Sequence, residues 1–403
     1  MSSDSSTVVG EARAGATQAE FSATLRELAV AAFASALSMR VCDSMLPRIA
    51  EQFARPVTDL AGVVTAFAIA YGVFSLIHGP LGDRRGKLNT ISVATVVAAV
   101  GSLACWLAWS PASLIVFRFL TGAACAALIP LSLAWIGDSV SVEDRQRTLA
   151  RFAAAPITGL IAGQVVGGLF ADVIGWRSAF LLPAALLGFA GVRLLRTARA
   201  TAAGAHRIEP TGVMAGYLSL LRNPRARFLM ITVAIEGACG FGVLAFVPTY
   251  VHLRFGLPLW QAGLLVALYG FGGLAFAAQA GRIIRRLGPA GMAFIGGLCL
   301  LAGFGAVAAA PVWPAAALGC TVAGFGFTML HNTLQTGATQ AHPQARGTAI
   351  AGFAMCLFVG QSIGVATSAE LVERFGFSAV FVAFASVLAV LGVVVRRESL
   401  RAR

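Results

Sequence analysis

One short charged stretch, Gly79-Pro80-Leu81-Gly82-Asp83-Arg84-Arg85-Gly86-Lys87, interrupts two long apolar runs. Residues 60–77 before it and residues 88–117 after it contain no charged side chain. Apolar runs of this length are typical of membrane-spanning helices, which need about 20 residues. The three glycines of the stretch permit tight backbone turns, and its single carboxylate lies among three cations. The sequence therefore predicts a tight, ion-paired loop that joins two spanning helices at a membrane surface.

The composition of the whole chain extends this interpretation. Of the 403 residues, 58% are hydrophobic and only 12% are charged, whereas a soluble domain carries about 25% charged residues. The fold class is therefore an all-α integral membrane protein with twelve transmembrane helices. The predicted spans are 28–50, 60–80, 88–109, 112–137, 152–173, 178–197, 227–251, 259–281, 290–309, 313–336, 347–370 and 376–395.

The charge distribution predicts an orientation. The formal net charge is +13, and most of the lysines and arginines fall between the predicted spans on the side that carries the N-terminus. Cytoplasmic loops of membrane proteins are enriched in these residues. We therefore expect both termini in the cytoplasm and a multi-pass location in the inner (plasma) membrane, with the bilayer rather than a nucleic acid as the partner of the positive charge.

The opening stretch carries a family resemblance. It resembles the signature loop of the major facilitator superfamily, Gly-x-Leu-x-Asp-Arg-x-Gly-Arg/Lys. The matching residues are Gly79, Leu81, Asp83, Arg84, Gly86 and Lys87. The resemblance implies two pseudo-symmetric six-helix bundles with a substrate site between them near the bilayer midplane. It also implies a gating role for the loop, in which Asp83 meets the N–H groups at the inner start of the eleventh helix, near Ala345-Arg346-Gly347. The alternative is that Asp83 balances the neighbouring cations.

Charged residues inside the first and fourth spans are candidates for proton coupling. Arg40 and Asp43 are three residues apart and share one helix face, so they can pair. Charged side chains within a membrane face a protein interior or a wet cavity. Arg118 resembles the fourth-helix arginine of the superfamily, which is implicated in proton transfer beside the acid of the first helix. A self-neutralised pair, and an arginine held by backbone carbonyls, are the structural alternatives.

The fifth span carries a row of small residues. It reads Pro156-Ile-Thr-Gly159-Leu-Ile-Ala-Gly163-Gln164-Val-Val-Gly167-Gly168, and small residues at this spacing let spanning helices pack closely. The run resembles the fifth-helix motif of the superfamily's antiporters. The match is partial, because Gln164 stands where the motif has Pro and Ala150 where it has its first Gly. Close helix packing alone is the alternative explanation.

The second half of the chain repeats the first weakly. Gly281-Arg-Ile-Ile-Arg285-Arg286-Leu-Gly288 takes the place of the opening stretch, and Gly360-Gln361-Ser-Ile-Gly364 echoes Gly163-Gln164-Val-Val-Gly167. The polar segment between the halves has room for a short helix around residues 212–221. The predicted division is a disordered cytoplasmic tail (1–26), an N-terminal bundle (27–197), a cytoplasmic linker (198–226), a C-terminal bundle (227–396) and a short tail (397–403).

Further polar residues in the second half are site candidates. Glu236 is a carboxylate inside the seventh span, and an intramembrane acid is a functional candidate by default; a hydrogen-bonded structural acid is the alternative. The candidate residues for lining a substrate cavity are His331, Asn332, Gln335, Tyr250, Tyr269 and Gln361. For these, helix packing and inter-helix hydrogen bonding are the alternatives.

The leading functional hypothesis is proton-coupled efflux of a small amphipathic drug or metabolite, because the whole pattern resembles the drug and metabolite antiporters of the superfamily. Asp43 and Glu236 are the expected proton carriers, tuned by Arg40 and Arg118. Proton-coupled uptake of a nutrient and a transporter-like sensor are the alternatives. The sequence contains no nucleotide-binding loop, metal-ligand cluster or catalytic constellation, so we expect no enzyme activity, cofactor or metal. A monomer that binds a small-molecule substrate and protons is expected.

Overall fold

The computed structural model describes residues 4–201, 213–341 and 346–401. Within these ranges the structure is helical, with short connections. The helices are α1 (Asp4–Phe53), α2 (Ala61–Arg85), α3 (Lys87–Trp106), α4 (Pro111–Cys125), α5 (Leu128–Ser139), α6 (Val142–Val173), α7 (Leu181–Thr201), α8 (Val213–Arg222), α9 (Pro224–Leu244), α10 (Val247–Phe255), α11 (Leu259–Ala309), α12 (Trp313–Ala341), α13 (Arg346–Phe375) and α14 (Phe377–Arg401). Two short 3₁₀ helices, Thr58–Leu60 and Trp176–Phe180, precede α2 and α7.

The helices account for the predicted membrane crossings. Eleven helical segments in the described part are long and apolar enough to span a bilayer. One of them, α11, has 51 residues and would be about 76 Å long if straight, far more than the roughly 30 Å hydrocarbon core. Gly288 divides it, with φ 61° and ψ 178°, and Pro289 begins the second part. The two parts correspond to the predicted spans 259–281 and 290–309, so the all-α fold with twelve crossings is confirmed.

Several boundaries differ from the expectations. Residues 79–85 are not a loop, because α2 continues through them to Arg85 and only Gly86 breaks the helix, at φ 87°. Helical backbone satisfies its own hydrogen bonds as it leaves the apolar layer. The helix α1 begins at Asp4 where a disordered tail was expected over 1–26, and α14 continues to Arg401. In the linker, α8 (Val213–Arg222) confirms the expected short helix, and residues 202–212 lie outside the described part.

Two pairs of helices show the internal repeat. In each pair, glycines of one helix lie against backbone carbonyls of the other, so closely that a Cβ would stand 2.0–2.6 Å from the carbonyl oxygen. The contacts are Gly163 on Leu37 and Gly167 on Val41 between α6 and α1, and Gly360 on Ala234 and Gly364 on Ala238 between α13 and α9. Every residue of the second pair lies 197 positions after its counterpart in the first. The echo between residues 163–167 and 360–364 therefore reflects the same helix packing in both halves.

The two halves meet along α2 with α13 and along α6 with α11. The hydroxyl of Ser362 donates a hydrogen bond to the Thr65 carbonyl (2.7 Å), and the Tyr71 and Phe358 rings lie 4.6 Å apart. At the end of α6, the Trp260 amide donates to the Asp172 carboxylate (3.0 Å). Within the described residues, the hydrogen bonds and ring contacts between the halves lie between mid-span and the face opposite Gly86. The halves are thus in contact at that face.

Candidate functional site

The first cluster of charged residues lies inside the N-terminal half. Arg40 and Asp43 of α1 form a buried ion pair, with 3.3 Å between Nη1 and Oδ2, as their spacing predicts. The same carboxylate oxygen accepts a hydrogen bond from Nε2 of Gln164 at 3.0 Å. The other oxygen of Asp43 is buried without a hydrogen-bond partner in the described part of the chain. The carboxylate therefore retains acceptor capacity, which is costly in an apolar interior.

The approach of α6 brings Gln164 to the ion pair. Gly163 and Gly167 have no side chains, so the backbone of α6 packs directly on α1. The hydroxyl of Ser44 then donates to the Gln164 carbonyl at 2.7 Å. This hydrogen bond fixes the position of α6 along α1, so that the Gln164 side chain lies beside Asp43. The sequence pattern indicated only a packing role for Gln164, and its side-chain hydrogen bond to Asp43 was not predicted. Gly159 also packs on α1, against Phe33, whereas Gly168 packs on Leu259 of the other half.

Arg118 is held by backbone carbonyls, as in the structural alternative to a role in proton transfer. Its fully buried guanidinium donates to the backbone carbonyls of Ser38 (2.7 Å) and Val63 (3.2 Å), and it lies 4.2 Å from the centre of the Phe67 ring. Within the described residues it forms no ion pair with Asp43. A guanidinium with five donors can join several helices in this way, and here it joins α4 to α1 and α2.

The second cluster lies in the C-terminal half. The fully buried Glu236 of α9 shares a hydrogen bond with His331 of α12, with 2.9 Å between Oε2 and Nδ1. The ring of His331 stacks on Phe327, with centroids 5.4 Å apart and an angle of 10° between the planes. Oε1 of Glu236 has no hydrogen-bond partner in the described part. The two side chains are both titratable, and the sequence named both without indicating that they pair.

A cavity of about 240 Å³ lies between the two clusters. Helices α1 and α6 of the first half and α9, α11 and α12 of the second contribute to its walls, near the middle of the spans. Its lining is mainly aliphatic and aromatic, and the polar side chains are few. The lining residues include Arg40, Gln164, Phe241, Tyr269, Phe327 and Thr328. An apolar cavity with few convergent polar groups is typical of small-molecule sites.

Arg40 connects the first cluster to the cavity and to the other half. Besides its pairing with Asp43, its guanidinium carbon lies 4.3 Å from the centre of the Phe241 ring of α9. Such cation–π contacts contribute about 0.5–2 kcal/mol. On the other side, Phe327 lines the cavity and stacks on His331. Asp43 is thus one residue removed from the cavity wall, through Arg40, and Glu236 is two residues removed from it, through His331 and Phe327. Phe241 and Phe327 were not identified from the sequence, since nothing distinguishes them from packing aromatics.

The remaining cavity candidates are dispersed. Tyr269 lines the central cavity, but Tyr250 does not belong to it, because its hydroxyl donates to the Ala308 carbonyl (2.9 Å) at a contact of α10 with α11. Asn332 lines a separate cavity of about 300 Å³ inside the C-terminal half. Gln335 is exposed. Gln361 is buried on α13, beside α9, where a Cβ on Gly237 would lie 3.2 Å from the backbone nitrogen of Gln361.

The signature stretch forms an ion-paired cluster at the end of α2. Lys87 lies 3.8 Å from Asp83 and also pairs with Asp138 of α5. Asp83 is exposed, and no hydrogen bond or ion pair joins it to the described residues of α13. Residues 342–345, which include part of the expected partner segment, lie outside the described part. The latch role of Asp83 stays a prediction for another conformational state of the protein.

A family model and the fold agree on what kind of protein contains this site. The model of the Major Facilitator Superfamily matches residues 28–365. The chain belongs to this superfamily. The expectation drawn from the signature stretch is therefore confirmed, and the protein is a membrane transporter rather than an enzyme.

Individual relatives are distant. The uncharacterized MFS-type transporter YceJ of Bacillus subtilis is 24% identical over 87% of this chain and 89% of its own length. The multidrug export protein EmrB of Haemophilus influenzae is 29% identical over 38% of this chain, and that of Escherichia coli K12 is 27% identical over the same share. The chain spans only 30% of the length of these EmrB proteins and 64% of that of the B. subtilis transporter YwfA.

Solved structures share the fold. A bacterial homolog of the human lysosomal transporter Spinster, in its inward-facing and unoccupied conformation, superposes with a TM-score of 0.78 at 16% identity, over 95% of this chain and 98% of that one. The nucleoside transporter NupG superposes with a TM-score of 0.74 at 14% identity, over 92% and 98%. At these identities the likeness concerns the fold alone.

Proposed function

We propose that the protein is a proton-coupled exporter of a small amphipathic drug or metabolite, acting as a monomer by alternating access. The observation that carries the proposal is one buried carboxylate in each half, Asp43 and Glu236, each joined by side-chain contacts to a cavity that both halves line. The similarity to the EmrB multidrug export proteins over part of the chain supports export. The cavity also suits such a substrate, because its walls are mostly apolar.

The proposed orientation follows from the charge distribution of the sequence. With both termini in the cytoplasm, Gly86 lies at the cytoplasmic surface and the observed contacts between the halves lie toward the outer surface. This arrangement corresponds to a state open to the inside, which is the state that would load a substrate for export. The membrane potential adds about 2.3 kcal/mol per translocated charge per 100 mV and can bias the cycle.

Arg40 provides a physical link between proton binding and movement of the halves. In the observed state its guanidinium is shared between Asp43 on its own helix and the Phe241 ring across the interface. When Asp43 takes up a proton, its attraction for the guanidinium falls. The contact of Arg40 with Phe241 then changes as well, so protonation in one half alters an interaction between the halves. Glu236 and His331 provide a second exchange point beside Phe327.

Transport of ethidium, an amphipathic cation, into inverted vesicles with an acidic lumen tests the carrier assignment. Asp43→Asn and Glu236→Gln should each reduce proton-driven accumulation to the level of vesicles without the transporter. Glu51→Gln is the matched control, because Glu51 is an exposed carboxylate on the same helix as Asp43 and should transport normally. If both buried variants still exchange substrate for protons at the wild-type rate, the assignment is wrong.

A second variant separates a folding defect from loss of coupling. Removing one partner of a buried ion pair destabilises a protein by about 3–5 kcal/mol, so Asp43→Asn alone leaves Arg40 as an uncompensated charge. The double variant Arg40→Gln/Asp43→Asn removes both charges and should restore the amount of folded protein without restoring proton-driven transport. Recovery of transport in the double variant would contradict the role of Asp43.

A further inference from the structure

A groove on the outside of the N-terminal half shares no lining residue with the central cavity. It has a volume of about 590 Å³ and runs between α2, α3 and α4. The helix α3 packs on α2, α4, α5 and α7 of its own half. Its exposed side chains in the groove, such as Val97 and Val100, therefore face the lipid and not the other half. The groove is open to the bilayer along one leaflet.

Most polar residues of the groove lie at one end; His78 lies about two helical turns deeper on α2, with its Nδ1 2.9 Å from the Phe74 carbonyl oxygen. Arg85, Asn89 and Thr90 lie at the surface end, near Gly86, whereas the lining from Val93 to Ala104 is apolar apart from the glycine at position 101. The helical distance from Val93 to Ala104 is about 16 Å, close to half of the roughly 30 Å hydrocarbon core. The groove thus has the polarity profile and the depth of one lipid leaflet.

The charge at the polar end of the groove favours an anionic ligand. The guanidinium of Arg85 is exposed and has no carboxylate partner among the described residues. The two nearby carboxylates, Asp83 and Asp138, both contact Lys87. With Arg84, the cluster formed by this turn and Asp138 of α5 has three cations and two anions, and Arg85 is the cation that lines the groove. Basic sites between spanning helices at a membrane surface favour anionic headgroups.

We propose that this groove binds one anionic phospholipid of the surrounding bilayer, with its phosphate at Arg85 and Asn89. One acyl chain lies along Val93, Val97 and Val100. The site is independent of substrate and protons. Because Arg85 is two residues from Asp83, the bound lipid adds a negative charge beside the ion-paired cluster at the end of α2.

Native mass spectrometry of the purified full-length protein tests the proposal, with phosphatidylglycerol and phosphatidylcholine of identical acyl chains as probes. The wild type should bind phosphatidylglycerol in preference, and Arg85→Ala should lower the ratio of the two bound lipids about fivefold, the equivalent of about 1 kcal/mol for one basic residue near an anionic surface. Arg85→Lys should keep most of the preference. Arg286→Ala, at an exposed arginine of the corresponding turn in the second half, should keep all of it.

The groove itself is tested by filling it. Val97→Trp should reduce binding of both lipids, whereas Val390→Trp, on the exposed face of α14, should not. Both valines are exposed, 50% and 62%, so neither change disturbs the core. The proposal fails if Arg85→Ala leaves the ratio unchanged, if Arg286→Ala lowers it equally, or if Val97→Trp leaves the amount of bound lipid unchanged.

Discussion

A methyl group at Gly263 should shift the transporter away from the observed state. Gly263 lies on α11 against the backbone of α6 in the other half, and a Cβ there would stand 2.1 Å from the Gln164 carbonyl oxygen. Because the obstacle is backbone, it cannot rotate away. The two helices must separate by at least roughly 1.3 Å to restore an ordinary van der Waals contact of 3.4 Å. Rocking of the halves at this face provides that separation.

The size of the effect follows from the cost of overpacking, about 1–3 kcal/mol. If opening at this face relieves that cost, the ratio of open to closed molecules rises by about 5- to 150-fold. Gly163→Ala is the matched control, because its Cβ would stand 2.6 Å from the Leu37 carbonyl oxygen within one half. Rocking does not relieve that clash, so we expect Gly163→Ala to lower the melting temperature instead.

Distance measurements between spin labels distinguish the two outcomes. Labels at Asp59→Cys and Phe375→Cys, in a background without native cysteines, lie on exposed positions of different halves at the closed face. Gly263→Ala should enlarge the long-distance population, and Gly163→Ala should not. Unchanged distances in Gly263→Ala, together with normal transport, would refute the argument that the halves part along α6 and α11.

Three further substitutions test individual residues. Arg118→Lys should lower the melting temperature in detergent, because a lysine cannot keep the contacts of the guanidinium with Ser38 and Val63; unchanged stability would contradict the role of Arg118 in joining α4 to α1 and α2. Phe241→Ala removes the contact of Arg40 with the other half, and vesicles that contain it should leak protons in the absence of substrate; a tight membrane would contradict the coupling role of Arg40. Asp83→Asn should slow transport with little loss of protein from the membrane, whereas unchanged turnover would remove the latch proposal.

The fold could be predicted almost completely from the sequence. Membrane-length apolar runs and the signature stretch are local features, and together they gave the twelve crossings. The boundaries were less accurate, because α2 continues through residues 79–85 where glycines and charges suggested a loop. Glycine permits a turn but does not require one. Only Gly86 adopts a positive φ in this stretch.

The site could be predicted only where its contacts are local. The pairing of Arg40 with Asp43 follows from their spacing on one helix. In contrast, Glu236 and His331 are 95 residues apart, and Gln164 and Asp43 are 121 apart, so these pairs depend on how the helices pack. Arg118 looked like a partner for an acid, but the carbonyls of neighbouring helices take up its donors. A side chain's type shows which bonds it can form, and only the packed structure decides which of them it forms.

Proton movement in inverted vesicles tests the central claim most directly. An imposed proton gradient makes the lumen acidic, a pH-sensitive dye reports it, and amphipathic drugs, amino acids, nucleosides and sugars are added one at a time. Proton-coupled export predicts that at least one amphipathic compound triggers efflux of protons from the lumen. Two results together would contradict export and establish uptake by symport. No compound would trigger proton efflux from inverted vesicles, and protons would enter right-side-out vesicles together with a nutrient.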